Sequence, residues 1–289
     1  MFCDLHMHST ASDGTNAPRE LATIAKTVGL GAIALTDHDT TAGLPECASA
    51  CAAAGIEFVP GIEISADPCA VPGMEKIERL GTLHILGLFV QHDEPKLLEI
   101  SRQMSAARDE RNPAIVERLK ELGVAIEYEE VQTLANDQGT KIIGRPHIAQ
   151  VLINKGYVKT IQDAFRKYIG MDAAAYVRRD RLHPRQAIDT IHAARGLAIV
   201  AHPIQLGLRE PGQLDHFIER MKDFGLDGIE TRHSDHAPAL VDQYEKLAAK
   251  LNLLTSGGSD YHGSRKSVEM GGQNVPFPVY ERLRHNTQR

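Results

Sequence analysis

The stretch Ala32-Ile33-Ala34-Leu35-Thr36-Asp37-His38-Asp39 joins a short apolar run to the polar residues directly behind it. Its four apolar residues are typical of a buried parallel strand, because both faces of such a strand are covered. Before it, Asn16 and Pro18 stand where a helix cap and a first helical turn belong, and apolar residues recur at helical spacing up to Gly29. This part of the chain therefore predicts a helix, then a strand, then a polar strand end.

The same unit returns along the chain. Apolar runs with polar residues at their ends occur near 2–6, 58–63, 198–202, 228–233 and 253–262. Helical patterns precede the last three, around 184–195, 211–224 and 238–252. With a run that begins at His84, this makes about seven strands alternating with helices, which predicts a parallel sheet with right-handed crossovers. Open sheets also fit the periodicity, but a barrel would bring the polar strand ends together on one face.

The composition describes a globular chain with one unusual feature. The 289 residues are 42% hydrophobic with a formal net charge of −6, which excludes disorder, collagen and coiled coil. A mildly acidic chain does not attract a long polyanion in general, so nucleic-acid chemistry would need a local site. The unusual feature is 14 histidines, since imidazole is the commonest metal ligand and also an acid and base near neutral pH.

The cysteines and the N-terminal sequence predict a cytoplasmic protein. Cys3, Cys47, Cys51 and Cys69 show neither a C-x-x-C motif nor a framework spacing, and they are typical of buried thiols in a reducing compartment. Cys47 and Cys51 lie one helical turn apart, so a soft-metal site is the alternative for that pair. We expect no signal peptide, because the chain reaches Asp4 and His6 without a basic region followed by an apolar run. We expect no membrane partner either, because no apolar stretch approaches the roughly 20 residues that span a bilayer.

Residues 94–177 interrupt the alternation of strands and helices. Apolar residues recur there at helical spacing on both sides of Pro113, which predicts a helical insertion between two barrel strands. Residues 1–93 and 178–289 would then form the barrel. The insertion is expected to act as a lid that shapes access to the site, and the alternative is an elaborated crossover with no functional part.

Residues of metal-ligand type collect at the ends of the predicted strands. The nine are His6, His8, His38, Glu63, His84, His202, His233, Asp260 and His262. Imidazoles and carboxylates without thiolates suit Mn²⁺, Fe²⁺ or Zn²⁺. Nine ligands exceed the needs of one ion, so we expect two or three ions, an arrangement that serves phosphoryl displacement.

Five motifs in order resemble those of the PHP (polymerase and histidinol phosphatase) family, which belongs to the amidohydrolase-like group. They are Asp4-Leu5-His6-Met7-His8-Ser9, Thr36-Asp37-His38-Asp39, Pro60-Gly61-Ile62-Glu63, Ala201-His202-Pro203 and Gly258-Ser259-Asp260-Tyr261-His262. The resemblance covers the chain apart from the insertion. It implies an α/β fold, a distorted (β/α)7 barrel of the PHP/TIM-like kind with a helical lid insertion, and a site for three divalent ions, with Mn²⁺ favoured over Zn²⁺ or Fe²⁺.

The resemblance also implies which residues hold the ions. The first ion would take His6, His8, Glu63 and Asp260; the second would share Glu63 and take His84 and His202; the third would take Asp13, His38 and His262. His84 departs from the pattern because it begins an apolar run instead of following one. His202 and Asp260 would thus serve catalysis as metal ligands.

Within the family the chain is most similar to short phosphoesterases that remove the 3′-phosphate of nucleoside 3′,5′-bisphosphates, such as adenosine 3′,5′-bisphosphate, to leave AMP. The expected partners are a small nucleotide bisphosphate and short 5′-phosphorylated RNA, with no obligate protein partner. His233 would bind the scissile phosphate or protonate the leaving oxygen. Arg145 would recognise the second phosphate, and Arg178, in the run 178–181, would face the substrate.

Four other functions fit parts of the same pattern. Histidinol-phosphate phosphatase activity uses the same metal motifs, and amide or lactone hydrolysis uses the same kind of metal barrel. A polymerase-type exonuclease is disfavoured because no polymerase segment is attached. A metal-binding regulatory module would need the ligands but has no use for an arginine on a lid.

Overall fold

One eight-stranded sheet forms the core of the described part of the protein. The computed structural model describes residues 1–75, 77, 80–140 and 142–287. The strands are β1 (Phe2–Asp4), β2 (Leu30–Leu35), β3 (Glu57–Ala66), β4 (Leu83–Leu88), β5 (Leu197–Val200), β6 (Gly228–Arg232), β7 (Leu254–Gly257) and β8 (Val275–Pro276). Their spatial order is β7-β6-β5-β4-β3-β2-β1-β8. All seven predicted strands are present, and the two-residue β8 is an addition.

Helices cover the sheet and fill the stretch between β4 and β5. They are α1 (Pro18–Thr27), α2 (Leu44–Ala54), α3 (Pro95–Glu121), α4 (Tyr128–Asp137), α5 (Arg145–Asn154), α6 (Ile161–Ala164), α7 (Pro184–Ala193), α8 (Gln213–Asp223), α9 (Pro238–Leu251) and α10 (Phe277–Asn286). A π-helical turn, Phe165–Ile169, follows α6 directly. Of the helices described, none has both the length and the apolar character needed to cross a bilayer.

The sheet curls until its first and seventh strands meet. Beyond β1 and β7, the Leu5 amide donates to the Gly257 carbonyl at 3.1 Å, and the Asp260 amide donates to the His6 carbonyl at 2.9 Å. At the other end of β1, β8 pairs with it in the antiparallel sense through Cys3 and Val275. The result is a nearly closed barrel, so the predicted α/β barrel is confirmed.

The expectation of an entirely parallel sheet is wrong at two strands. Besides β8, β4 runs antiparallel to both β3 and β5, with His84 opposite Ser65 and Ile85 opposite Val200. Because β4 is reversed, its first residues lie at the edge where the parallel strands end. This explains why His84, which begins an apolar run, lies close to ligand-type residues that come at the ends of their apolar runs.

Helix α3 is continuous through Pro113, although the sequence indicated separate helical segments on either side. A proline inside a helix costs about 3 kcal/mol or more. Burial on both sides offsets this cost: Leu97 and Met104 pack in the barrel core, whereas Ile115 and Leu119 pack in a second apolar core built from residues of the 115–175 range. The division of the chain at residues 94 and 177 stays a prediction.

Candidate active site

Glu63 lies at the centre of a cluster of histidines inside the barrel. It is fully buried and belongs to β3, which continues to Ala66. Its Oε2 faces His6, His8 and His38 at 3.5, 3.2 and 2.9 Å. Its Oε1 faces His84 and His202 at 2.7 and 2.9 Å. The two oxygens thus face different imidazoles, as a carboxylate that bridges two ions would.

Two further carboxylates extend this cluster. Asp260 Oδ1 lies 3.3 Å from both His8 and His262 and 3.6 Å from His6. Asp13 lies 3.3 Å from His262 and 4.0 Å from His38. Four groups have ligand atoms within 4.8 Å of one another: His8, Asp13, His38 and His262; His6, His233 and Asp260; His6, Glu63 and His202; His38, Glu63 and His84. The structure therefore brings together all nine residues that the family resemblance assigned to the three ions.

These side chains fit divalent cations. Among the residues described, His6 Nε2, His38 Nδ1, Glu63 Oε2, His202 Nδ1 and both ring nitrogens of His8 are buried without a hydrogen-bond partner. Such orphaned polar atoms are costly unless a ligand satisfies them. Burial lowers the pKa of His8, but Asp260 and Glu63 outweigh it and raise that pKa to about 9. A proton on His8 carries the positive charge that a bound cation would otherwise supply. Cation binding should therefore release protons from the site.

Glu230 orients two of the histidines and was not assigned a role from sequence. Its Oε1 lies 3.0 Å from His6 Nδ1, which directs Nε2 toward Glu63 and Asp260. Its Oε2 accepts the backbone N–H of His202 at 2.7 Å. That residue has a φ of 27°, a conformation that persists only where its surroundings impose it. Glu230 therefore acts as a positioning residue behind the ligands.

We expect Glu230→Gln to weaken Mn²⁺ binding by about 10- to 100-fold, the usual effect of losing a carboxylate behind a ligating histidine. The amide keeps the shape of the side chain but loses the charge that holds the His6 ring. Competition titration against a chelator measures the affinity. Glu245→Gln, at an exposed pair with Arg232, is the control. Equal affinities of the two variants would contradict the role of Glu230.

A cavity of about 280 Å³ opens above part of the cluster. Asp13, His38, His84 and His262 contribute the ligand-type residues of its lining. Seven cationic side chains also line it: Arg108, Arg111, Arg145, Arg179, Arg181, Arg265 and Lys266. Asp13 is the one carboxylate among the described residues of the lining. The cavity is therefore strongly positive in a chain whose net charge is negative, which suits a small anion with several charges.

Most of these cations lack a full complement of acidic partners. Asp39 pairs with both Arg108 and Arg179, at 3.1 Å from the latter. In the part of the chain that the structure describes, neither Arg111 nor Arg145 forms an ion pair with a carboxylate. Burial, and then the neighbouring cations Arg145, Arg108 and Arg179, lower the pKa of Arg111 to about 8. Buried guanidinium groups without carboxylate partners indicate a site that binds an anionic ligand.

The substrate-binding predictions have different outcomes in the structure. Arg145 lines the cavity, but Arg178 does not: its side chain is 74% exposed and pairs with Asp67 at 3.0 Å. The next residue, Arg179, lines the cavity instead, because successive side chains of an extended segment point to opposite sides. His233 is buried and contacts Asp260 at 3.3 Å, and it is not part of the cavity lining. Its contacts place His233 among the metal-ligand residues and not against the substrate cavity.

Sequence reasoning missed several residues of the site. They are Glu230, Arg108, Arg111, Arg265 and Lys266. Glu230 ends an apolar run like the metal ligands, and Lys266 follows the last motif by four residues, so both carried a signal. Arg108 and Arg111 carried none, because an arginine in a helix rich in charged residues is normally exposed.

Comparison with known proteins identifies the family. The PHP domain profile matches residues 4–175 of the chain. The chain belongs to the PHP family. This confirms the resemblance carried by the five motifs. As a PHP protein it is a metal-dependent phosphoesterase, and the histidine and carboxylate clusters are consistent with that chemistry.

Two curated relatives align with nearly the whole chain. A Haemophilus influenzae protein named 5′-3′ exoribonuclease is 34% identical over 97% of this chain and 98% of its own length. A Chromobacterium violaceum protein named 3′,5′-nucleoside bisphosphate phosphatase is 31% identical over 94% of this chain and 90% of its own length. A solved structure from Bifidobacterium adolescentis superposes with a TM-score of 0.86 at 29% identity, covering 97% of this chain and 94% of that one.

Proposed function

We propose that this PHP protein hydrolyses the 3′-phosphate of nucleoside 3′,5′-bisphosphates. The observation that carries the proposal is the arginine-rich cavity that adjoins the metal-ligand cluster, since two anion-binding centres suit a substrate with two phosphates. A monophosphate such as histidinol phosphate would supply no second phosphate for Arg111 and Arg145. The Chromobacterium violaceum relative, by its name, acts on this substrate class.

Each part of the cavity would then have a task. Divalent cations, three per chain with Mn²⁺ favoured, would neutralise phosphoryl charge and bring the pKa of a water near neutrality. His6, His8, Asp13, His38, Glu63, His84, His202, Asp260 and His262 would hold them. Arg111 and Arg145 would bind the 5′-phosphate, because planar guanidinium groups match phosphate oxygens in pairs. The residues of the chain thus position the substrate and neutralise its charge.

Residues 94–177 would form the lid that completes the site. This segment carries Arg111 and Arg145, the two cations proposed for the second phosphate, as well as Arg108. Arg108 reaches from α3 to Asp39 behind β2, which ties the segment to the barrel. Selection of a bisphosphate would therefore depend on the insertion, whereas hydrolysis itself would depend on the barrel.

We expect Arg145→Ala to lower kcat/KM for adenosine 3′,5′-bisphosphate by about 10- to 100-fold, since a charged hydrogen bond contributes roughly 1.5–3 kcal/mol. Turnover of p-nitrophenyl phosphate should hardly change, because that substrate has no second phosphate. Steady-state kinetics with both substrates provide the measurement. Arg166→Ala, at a side chain 80% exposed in the same segment, is the matched control. Equal losses on both substrates would refute the role of Arg145.

Action at the 5′ end of RNA is the second candidate, because the Haemophilus influenzae relative is named 5′-3′ exoribonuclease. There the arginines would hold the 5′-phosphate and the metals would face the first phosphodiester. The Mn²⁺-loaded protein should be offered adenosine 3′,5′-bisphosphate, L-histidinol phosphate, a short 5′-phosphorylated RNA and a lactone. Phosphate release from histidinol phosphate alone would overturn the proposal, and no turnover of any substrate would favour a metal-binding module.

A further inference from the structure

One wall of the cavity differs chemically from the rest of its lining. Pro146, Ile161, Phe165 and Tyr176 form an apolar and aromatic surface within a lining that is otherwise dominated by cations. All four are only partly buried. Large apolar groups that face a ligand cavity mark the place where an apolar part of the ligand loses its water.

The backbone presents two of these side chains together. Ile161 begins α6, and Phe165 begins the π-helical turn that follows it. Residues four apart in a helix lie on the same side. The Gly170 amide donates to the Phe165 carbonyl at 2.8 Å, the wide spacing that defines a π turn. Turns of this kind occur frequently at functional sites.

The aromatic rings also flank a phosphate-binding candidate. The Arg145 guanidinium carbon lies 5.1 Å from the centre of the Phe165 ring and 5.9 Å from that of Tyr176. Its Nη1 donates to the carbonyl of Ile169, in the same π turn, at 3.2 Å. A guanidinium with further donors thus lies over two aromatic rings of the cavity wall. The ligand that matches this arrangement carries a phosphate close to a planar ring.

We propose that Ile161, Phe165 and Tyr176 form the seat of the nucleobase; this rests on the proposed function, because it assumes a nucleotide in the cavity. The base stacks on the aromatic wall while the 5′-phosphate meets Arg145. Gln162, exposed at the edge of the wall, offers an amide donor and acceptor to the rim of the base. Because every base has a π face, the seat accepts purines and pyrimidines alike.

An abasic substrate isolates this contribution. 1,4-Anhydroribitol 3,5-bisphosphate has both phosphates and the sugar ring but no base. We expect the wild-type protein to show a KM for it about tenfold or more above that for adenosine 3′,5′-bisphosphate, since stacking of one base is worth about 1–3 kcal/mol. Phe165→Leu and Tyr176→Leu should each raise the KM for the adenosine substrate several-fold and leave that for the abasic substrate unchanged.

The control is Tyr168→Leu, an aromatic residue of the same π turn that is not part of the cavity lining and packs against the second apolar core. It should leave both KM values unchanged. Equal wild-type KM values for the two bisphosphates would overturn the seat and leave the proposed function intact. Equal increases for both substrates in Phe165→Leu would also overturn it, because Phe165 would then act only by holding Arg145. Hydrolysis of p-nitrophenyl phosphate but of neither bisphosphate would refute the proposed function itself, and the seat with it.

Discussion

Glu63→Gln should lower kcat/KM by at least about 1,000-fold for every phosphoester, because the metal-dependent part of transition-state stabilisation amounts to several kcal/mol. Glutamine has nearly the same shape, so the barrel is expected to fold. It replaces a carboxylate oxygen with an NH₂ group and removes the charge that five imidazoles surround. The loss should appear equally with adenosine 3′,5′-bisphosphate and p-nitrophenyl phosphate, which separates it from the effect of Arg145→Ala.

Metal content provides the second measurement for this variant. Burial raises the pKa of Glu63, but His38, His84 and His6 outweigh it, so the carboxylate is ionised and available to cations at neutral pH. Glu63→Gln should therefore retain fewer bound ions by elemental analysis. Glu57→Gln is the control on the same strand, where the side chain is 53% exposed and pairs with Arg284. A fully active and fully loaded Glu63→Gln protein would contradict the central place of Glu63.

Arg111→Met should have two opposite effects. Turnover of adenosine 3′,5′-bisphosphate is expected to fall by at least about 100-fold, the upper range for one charged hydrogen bond, because this guanidinium is buried and no carboxylate of the described residues pairs with it. In the absence of ligand, the free energy of unfolding should rise by about 1 kcal/mol, since replacing a buried charge with an apolar side chain is often stabilising. The loss of two hydrogen bonds from Arg111 to Asn112 limits this gain.

The pH dependence of that stability difference should be small. Burial and the neighbouring cations lower the pKa of Arg111, which means that its charged form is costly in the folded protein. A guanidinium nevertheless stays protonated in both the folded and the unfolded chain over the accessible pH range. The stability advantage of Arg111→Met should therefore be nearly the same at pH 7 and pH 9.

Chemical denaturation at pH 7 and pH 9, with and without inorganic phosphate, measures these effects. Phosphate should stabilise the wild-type protein more than Arg111→Met, because ligands that bind only the folded state add to its stability. Arg102→Met, on the same helix at a side chain 71% exposed, serves as the control and should change neither stability nor turnover. A destabilised Arg111→Met that still responds to phosphate like the wild-type protein would contradict the anion-binding role.

The metal-ligand cluster could be predicted in detail because its ligands follow a local rule. His8, His38, His202 and Asp260 each come directly after a strand or its continuation, and parallel strands end at one edge of a barrel. Once the strands are recognised, ligands on different strands can be predicted to lie close together however far apart they are in the sequence. His84 was the exception, and only the reversed direction of β4 explains its place.

The arginine-rich cavity could not be predicted in the same way. Arg108 and Arg111 lie on α3, whose sequence has charged residues on every side, and no periodicity tells which of them faces the barrel. For the run 178–181, the sequence indicated the right segment but not which side chain faces the cavity, because successive side chains of an extended segment point to opposite sides. The path of the backbone decided that Arg179, not Arg178, lines the cavity.

The sequence by itself determined the α/β barrel, the family and the residues expected to hold metal, because strand and helix periodicities and the polar strand ends are local properties of the chain. Only the tertiary structure decided the reversal of β4, the continuity of α3 through Pro113 and the gathering of seven cations above the ligand cluster. Those features depend on how distant segments pack. Burial of the two apolar cores fixes the face that α3 presents, and that face brings Arg108 and Arg111 to the cavity.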